Sequence, residues 1–211
     1  MNSTKIKILN AAEYLFATHG YAETSMRQIT NRANVNLASV NYHFGSKKAL
    51  TIEVIDRYLS QLMPDIIANL KQLQNKKEEP SISAIFSIFK QPLLTLNSIN
   101  DGGTVYFLKL LGRGYIDSQG HLRGFITHKY QTELRFIRQA FHQSCPQLSE
   151  EELFWHLHFA LGTTSFTLSA SDALTDIVKA DFNTELYLDD ILDRMVPYIS
   201  AGFIRQGNLN V

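Results

Sequence analysis

The apolar residues of this chain recur every three or four positions, with short polar breaks between the apolar segments. That spacing places them on one face of an α-helix. In the first segment Ile6, Leu9 and Leu15 form such a stripe, which predicts a helix over residues 3–19 that Gly20 ends. No segment of the sequence shows the strict alternation of a half-buried strand. The pattern therefore predicts an all-α fold.

Residues 24–50 predict two short helices joined by a tight turn, followed by the start of a third helix. Met26 and Ile29 have helical spacing, which predicts a helix over residues 25–32. The hydroxyl of Thr24 is expected to accept an orphan amide at the start of this helix and so to serve as its N-cap. This arrangement is a helix-turn-helix.

The turn and the second helix carry the residue types that this helix-turn-helix (residues 24–50, the corner) requires. Asn34 stands where the turn needs a positive φ, which asparagine tolerates better than most residues. Asn36 is expected to cap a helix over residues 37–43, and Gly45 is expected to end it in a left-handed conformation. Ser46 is then expected to cap the next helix.

The rest of the chain predicts longer and more apolar helices, interrupted by a charged linker at 75–80 and a loop at 97–103. Pro64 has no amide hydrogen and crowds the preceding turn, so it is expected to kink or end its helix. Ser149 and Glu152 match a capping box. The expected helical segments are 47–63, 65–73, 81–89, 104–113, 118–144, 150–170, 172–180 and 184–204.

The composition limits the class of protein. Of the 211 residues, 45% are hydrophobic and 19% are charged, which is typical of a globular chain. No apolar run is long enough to cross a bilayer, and the first residues lack the apolar core of a signal peptide. The single cysteine, Cys145, excludes a disulfide framework. We therefore expect a cytoplasmic protein without a membrane partner.

The net charge is zero, but the charges are unevenly distributed. Residues 1–50 hold six lysines and arginines against two glutamates, a net charge of +4, so residues 51–211 carry −4. A basic N-terminal module on an acidic body would attract DNA at one end only.

The second helix of the corner suits a DNA major groove better than a protein core. The side chains of Ser39 and Asn41 can read base edges. Tyr42 and His43 can reach phosphate oxygens, and such contacts set register rather than sequence. Lys47 lies at a helix N-terminus, where a cation and free amides together favour a phosphate. An ordinary helical hairpin with a polar surface is the alternative.

The segments ILNAAEYLFATHGYAETSMRQIT and ANVNLASVNYHFGSKKAL resemble the N-terminal part of the TetR family of bacterial transcriptional regulators. The resemblance covers about residues 4–55 and departs at Asn34, where the family commonly has glycine. Three further blocks, LLGRGYIDSQGHLR, ELFWHLHFALGTTSF and MVPYISAGF, resemble the PsrA subgroup, whose members regulate fatty-acid degradation.

The resemblance implies a three-helix helix-turn-helix domain over residues 1–48 and a larger helical ligand-binding and dimerisation domain over residues 49–211. It also implies a homodimer formed by the last two long helices. Such a repressor would bind a palindromic double-stranded operator at fatty-acid metabolism genes. A long-chain fatty acid or its coenzyme A thioester would release it, and no metal or other cofactor is expected.

Two sets of candidate site residues result. The candidate DNA-binding residues are Thr24, Ser25, Arg27, Asn36, Leu37, Ala38, Ser39, Asn41, Tyr42, His43 and Lys47. The candidate ligand-binding residues, which could line an acyl tunnel and meet its head group, are Phe86, Phe89, Phe107, Leu111, Arg113, His121, Phe125, Trp155, Phe159 and Phe166. For any single aromatic residue, plain core packing is the alternative. For the basic residues, surface salt bridging is the alternative.

Other functions have less support in the residues. A metal site lacks a fourth ligand beside His142 and Cys145, and His156 and His158 are two apart and point to different helix faces. A hydrolase needs a nucleophile beside a base, and the segment GTTSF lacks the nucleophile-elbow spacing. An enzyme is therefore not expected. The remaining alternative is a helical carrier of an acyl ligand that does not act on DNA.

Overall fold

The computed structural model describes residues 3–76, 79–116 and 120–204, and these residues form helices and loops without a strand, which confirms the all-α prediction. The helices are α1 (Ser3–Glu23), α2 (Met26–Ala33), α3 (Leu37–Phe44), α4 (Lys47–Gln74), α5 (Ile82–Ser87), α6 (Lys90–Thr95), α7 (Gly103–Ile116), α8 (Gly120–Lys129), α9 (Gln131–Ser144), α10 (Glu150–Ser169), α11 (Ser171–Phe182) and α12 (Leu188–Ala201), with a 3-10 turn at Leu96–Ser98. None of the helices described has the length and hydropathy that crossing a bilayer requires. Residues 77–78 of the predicted linker and 118–119 of the predicted helix lie outside the described residues.

These helices form two compact units. Unit one comprises the described residues of Met1–Gln61 and Leu96–Gln131, and unit two those of Leu62–Thr95 and Thr132–Val211. Helix α4 therefore contributes its first half to unit one and its second half to unit two. The predicted boundary at residue 48 does not coincide with a boundary between these two units, and its assignment as the limit of a DNA-binding domain stays a prediction.

In unit one, α1 packs against α2, α3 and α7. Ile8 and Phe16 of α1 and Val40 of α3 are buried in its core. Tyr58 of α4 is also buried there, with its ring 5.5 Å from that of Phe107. Burial raises the pKa of Tyr58 to about 12, so its hydroxyl stays protonated at neutral pH.

A buried polar cluster joins three elements of unit one. Glu13 of α1 is 1% exposed, and its carboxylate accepts hydrogen bonds from the Arg57 guanidinium of α4 and from the Asn100 side-chain amide that precedes α7. Arg57 also donates to Asn10 Oδ1 at 2.7 Å. The Tyr58 hydroxyl lies 3.5 Å from Asn100 Oδ1. The cluster compensates a carboxylate that would be costly to bury alone.

The core of unit two is built from phenylalanine rings. The ring centroid of Phe141 on α9 lies 4.9 Å from that of Phe86 on α5 and 5.8 Å from that of Phe203. Phe89 reaches the same ring at 6.5 Å. Helix α12 packs against α5, α6 and α10 around this cluster. The described part of unit two thus has an aromatic core of its own.

Pro64 was expected to kink or end its helix; α4 continues through it, so the second of these alternatives was wrong. Proline removes one backbone hydrogen bond, to the carbonyl of Ser60, and both residues are exposed. Water can therefore satisfy that carbonyl. Met63 and Ile66, on either side of the proline, are buried and keep the helix packed.

The single helix predicted over 118–144 is two helices, α8 and α9, separated at Tyr130. Tyr130 is buried, and its hydroxyl donates to Asp56 Oδ1 of α4 at 2.6 Å. Helix α8 packs in unit one through Leu122, whereas α9 packs in unit two through Phe141. The apolar residues of one straight helix cannot pack in both cores, and the break at Tyr130 divides them between α8 and α9.

The last helix starts at Leu188 rather than at residue 184 as predicted. Asn183 ends α11 in the left-handed conformation with φ 50°, which interrupts the helix there. Asp190 Oδ2 then accepts a hydrogen bond from the backbone amide of Tyr187 at 2.8 Å and stabilises the new helix start. Local capping chemistry thus overrides the continuous apolar spacing.

Candidate nucleic-acid interface

The first helix of the corner is capped by Ser25, and the prediction of Thr24 as its N-cap was wrong. The Gln28 amide donates to Ser25 Oγ at 3.2 Å, and Ser25 N donates to Gln28 Oε1 at 2.6 Å. Thr24 is 1% exposed and donates its hydroxyl to the Gly20 carbonyl at 2.7 Å. A buried hydroxyl needs such a partner. The Thr24 side chain is therefore part of the core and is not presented to DNA.

The turn and the cap of α3 are as predicted. Asn34 ends α2 at φ 52° and ψ 52°. Asn36 Oδ1 accepts hydrogen bonds from the Ser39 amide at 2.8 Å and the Ser39 hydroxyl at 2.9 Å. Gly45 has φ 71°, and Ser46 Oγ accepts a backbone amide of α4 at 3.1 Å. Both ends of α3 are fixed by local hydrogen bonds, so its outer face has a defined orientation.

Four residues form the outer face of α3. Leu37 is 43% exposed and Tyr42 is 86% exposed, and Ala38 and Asn41 are also exposed. Val40 on the opposite side is fully buried. Residues four apart share a face of a helix, so these four side chains make two adjacent rows. An 8-residue helix with this face is the size of element that enters a major groove.

Two of the residues predicted to contact DNA, Ser39 and His43, make contacts within the protein instead. Ser39 is half-buried and its hydroxyl is bonded to the Asn36 cap, so it is less able to read a base than the sequence indicated. His43 is half-buried, and its ring lies edge-on to those of Tyr42 at 5.2 Å and Phe44 at 6.1 Å. His43 therefore supports the exposed tyrosine.

Lys47 is held at the start of α4 by an aromatic ring. Its Nζ lies 4.2 Å from the centroid of Tyr21 and 3.5 Å from the carbonyl oxygen of Ala22. Burial lowers the pKa of Lys47, and the charge of Glu23 partly offsets this. The sequence reasoning missed Tyr21. Its signal in the sequence is an aromatic residue directly after Gly20, whose non-helical backbone at φ 86° interrupts α1.

The other basic residues near the corner differ in whether they contact an acidic or aromatic side chain. Arg27, in the first turn of α2, is exposed and makes no ion pair among the described side chains. The Arg32 guanidinium stacks 3.4 Å from the ring centroid of Tyr14. Lys5 pairs with Glu53 at 2.9 Å on the surface. Arg27 therefore stays a candidate for a phosphate contact, as does Lys47 at the start of α4.

The candidate ligand residues are divided between the two units. Phe107, Leu111, Arg113, His121 and Phe125 belong to unit one, and Phe86, Phe89, Trp155, Phe159 and Phe166 belong to unit two. Phe107 is buried against Tyr58, and the ring of the half-buried Phe125 lies 6.3 Å from that of Tyr130. Phe86 and Phe89 are half-buried around Phe141. These are core contacts, and a role in binding an acyl chain stays a prediction.

The two basic candidates contact the N-terminal helices instead of an open cavity. Arg113 donates from Nε to the Ala17 carbonyl at 3.1 Å and from Nη2 to the Thr18 carbonyl at 2.8 Å, in the last turn of α1 before the non-helical Gly20. The His121 ring lies 5.3 Å from that of Tyr21, and its Nε2 is buried without a hydrogen-bond partner among the described residues. Burial and the nearby Lys48 lower the pKa of His121, which disfavours the cation that a carboxylate would need.

The expectation that α10 aromatics line an interior was wrong for three residues. Trp155, Phe159 and Phe166 are 50%, 64% and 70% exposed, because α10 buries Leu153 and Leu168 on its other side. The capping box at its start is present as predicted. Its outer face is instead an uncovered apolar stripe within one chain.

Two family profiles match the chain. The one described as "Bacterial regulatory proteins, tetR family" matches residues 8–54. The one described as "Tetracyclin repressor-like, C-terminal domain" matches residues 87–202, which is more than half of the 211 residues. Together they span the corner and most of the helices that follow it.

Individual relatives are similar over the N-terminal part. The "Probable HTH-type transcriptional regulator YttP" of Bacillus subtilis is 38% identical over 56 residues, which is 26% of this chain and 27% of that protein. The "Biofilm operon icaADBC HTH-type negative transcriptional regulator IcaR" of Staphylococcus aureus is 30% identical over 82 residues, 39% of this chain and 41% of that protein. The matched part thus spans less than half the length of both relatives.

The fold is shared over the whole chain with a solved structure. The "fatty acid degradation regulator FadR from Bacillus halodurans" has a TM-score of 0.60 at 14% sequence identity, covering 100% of this chain and 98% of that one. At this identity the likeness concerns the fold alone.

Proposed function

This chain belongs to the TetR family of bacterial regulatory proteins, and we propose that it is a homodimeric repressor that binds double-stranded DNA through α3. The observation that carries the proposal is the exposed outer face of α3, fixed between the caps of Asn36 and Gly45. Family membership also confirms that the chain is not an enzyme, because the matched proteins are transcriptional regulators.

In the proposed dimer, each α3 enters a major groove of one palindromic operator. The two half-sites would then lie about one helical turn, roughly 34 Å, apart. An effector bound in the helical body would favour a dimer in which the two α3 helices are a different distance apart. That dimer no longer fits both half-sites, so the operator is released. The effector can shift that equilibrium only by its difference in affinity for the two states.

Removing the proposed phosphate contacts is expected to weaken binding to every duplex alike. Lys47→Ala should also reduce the slope of log K against log salt concentration by about 0.9, because one phosphate contact by a cation is lost. Tyr42→Phe removes a neutral donor, so it should lower affinity and leave the slope unchanged. Fluorescence anisotropy titrations of labelled duplexes at several salt concentrations measure both quantities.

Lys71→Ala is the matched control, because Lys71 is an exposed lysine in the part of α4 that belongs to unit two. Its slope and affinity should equal those of the unchanged chain. If a Tyr42→Phe/Lys47→Ala double variant bound duplexes as tightly as the unchanged chain, the two proposed phosphate contacts would be refuted. A protein without duplex affinity even at low salt would support the acyl-carrier alternative instead.

We further propose that the effector is a long-chain fatty acid or its coenzyme A thioester. The support is the resemblance of residues 110–123, 152–166 and 195–203 to regulators of fatty-acid degradation. A long apolar ligand also suits a body rich in aromatic side chains, with 13 phenylalanines in the chain. Phe107, Leu111 and Phe125 of unit one are the candidates for its apolar part.

Ligand addition is expected to stabilise the purified protein. At a free ligand concentration of about 100 Kd, oleate or oleoyl-CoA should raise the Tm by about 5–10 °C, whereas hexanoate at the same concentration should not. Native mass spectrometry of freshly purified protein would detect a retained acyl species directly. Empty protein, with no Tm shift by either long-chain ligand, would exclude this effector class and leave the DNA-binding proposal standing.

A further inference from the structure

The outer face of α3 carries no cationic side chain. Its exposed residues are Leu37, Ala38, Asn41 and Tyr42, and the α3 sequence LASVNYHF contains neither lysine nor arginine. From this face we infer that α3 reads A·T base pairs, with Leu37 and Ala38 against thymine methyl groups and Asn41 on adenine. The inference rests on the proposed DNA-binding function and specifies its base preference.

The apolar residues Leu37 and Ala38 lie at the N-terminal end of α3, the end that contacts base edges in helix-turn-helix proteins. Leu37 is 43% exposed, although Val40, three residues later, is fully buried in the core of unit one. A single exposed leucine is common on protein surfaces, but this one lies on the face that the proposed function places against DNA, where an apolar group of a base can cover it. In the major groove the one apolar group on a base edge is the thymine C5-methyl, which distinguishes A·T from G·C pairs.

The side-chain amide of Asn41 is available for a base, whereas Asn36 Oδ1 and the Ser39 hydroxyl are already hydrogen-bonded. Asn36 and Ser39 are bonded to each other and to the α3 backbone. The Asn41 side chain is exposed and makes no hydrogen bond among the described residues. A side-chain amide can bond the N6 and N7 atoms of adenine together, which is the pairing that its donor and acceptor geometry favours.

Guanine lacks its usual partner on this helix. Arginine or lysine bonded to guanine O6 and N7 is the commonest specific contact in the major groove. Outside α3, Arg27 lies in the first turn of α2, and the Lys47 ammonium lies over the Tyr21 ring. Both are assigned to phosphates in the proposed function. Tyr42, 86% exposed, has only a single hydroxyl to offer and cannot supply a bidentate guanine contact.

The test starts with selection of duplexes from a random 30-base-pair library by the full-length protein. The selected half-sites should contain A·T pairs at the positions that α3 faces. Replacing each thymine there with deoxyuridine removes one methyl group, which should weaken binding about fourfold where that methyl is buried. Replacing the adenine with 7-deazaadenine removes N7 and should weaken binding where Asn41 contacts it.

Variants identify which residue reads which base. Leu37→Ala should lose most of the discrimination between thymine and deoxyuridine at one position, and Asn41→Ala should lose the 7-deazaadenine effect. Arg27→Ala is the matched control, since it should weaken binding to the natural and substituted duplexes by the same factor. Circular dichroism that superimposes on that of the unchanged chain shows that each variant remains folded.

The outcomes separate this inference from the proposed function. Selection of no duplex at any salt concentration would overturn both. A selected operator with G·C pairs at every α3-facing position, or equal affinity for thymine and deoxyuridine duplexes, would overturn the A·T inference and leave the repressor proposal intact. Loss of thymine discrimination on Leu37→Ala, with retention on Arg27→Ala, would establish it.

Discussion

Replacing Arg57 with methionine is expected to lower the free energy of unfolding by about 3–5 kcal/mol, because it leaves the Glu13 carboxylate buried without a cation. The side chain of Glu13 is 2% exposed and that of Arg57 is 16% exposed, so water cannot replace the lost partner. Of the groups around Glu13, only the Asn100 amide would still donate to it in the described structure. For a chain of this length the loss corresponds to a drop in Tm of about 6–20 °C.

Removing both charges together should be far less harmful. In Glu13→Leu/Arg57→Met no charge remains to be desolvated, and apolar side chains of similar size can pack in the same space. The double variant should therefore recover most of the stability lost in Arg57→Met. Some loss remains, because the amides of Asn10 and Asn100 each lose a partner.

Urea unfolding at one fixed protein concentration measures these differences. Lys129→Met is the matched control, because it also removes a cation from a carboxylate, Asp56, but Lys129 is 45% exposed. It should change stability by about 1 kcal/mol or less. If Arg57→Met were no more destabilising than this control, the buried pair would not be what holds α1, α4 and the α7 loop together.

The local features of the corner could be predicted because they depend on neighbours in sequence. Asn34, Asn36, Gly45 and Ser46 act where their turn and capping chemistry indicated. The one failure, at Thr24, has a tertiary cause. Two adjacent residues could both cap α2, and the choice was made by the burial of the threonine hydroxyl against carbonyls of α1. Sequence spacing does not show which hydroxyl is buried.

The larger errors came from not knowing which core each apolar residue joins. The stripe from Leu122 to Phe141 has continuous helical spacing, yet it serves two units and breaks at Tyr130. Arg113 and His121 are basic residues in an apolar body, which suggested a ligand head group. In the fold Arg113 contacts carbonyls of α1, because α7 packs along α1, and His121 of α8 lies against Tyr21. Partners distant in sequence decide such roles.

The aromatic residues of α10 show the same difficulty and lead to the second large effect. Trp155, Phe159, Gly162 and Phe166 are spaced by four, three and four residues and are all exposed. This is the spacing of the seam between two packed helices. A side chain at Gly162 would meet no atom within 4 Å, so the glycine leaves room for a neighbour to approach closely. We therefore expect this stripe to pack against its copy in the proposed homodimer.

Phe159→Asp is therefore expected to convert the dimer into single chains and to weaken operator binding on the order of 10²- to 10⁴-fold. The charge would have to be desolvated at the centre of the seam, which opposes association. Each α3 would then bind one half-site alone, and the gain in affinity that comes from linking two DNA-binding modules would be lost. Sedimentation velocity measures the state of association, and anisotropy titration measures the operator affinity.

Trp155 is the only tryptophan in the chain, and its ring stacks on Phe159 with centroids 5.9 Å apart, so its fluorescence reports on this stripe. Its emission should shift to longer wavelength in Phe159→Asp, as the ring becomes hydrated. Phe182→Asp is the matched control, because Phe182 is 71% exposed but lies on α11 outside the stripe. That control should remain dimeric with unchanged emission. A Phe159→Asp protein that sediments as a dimer and keeps its emission would show that the copies associate through another surface.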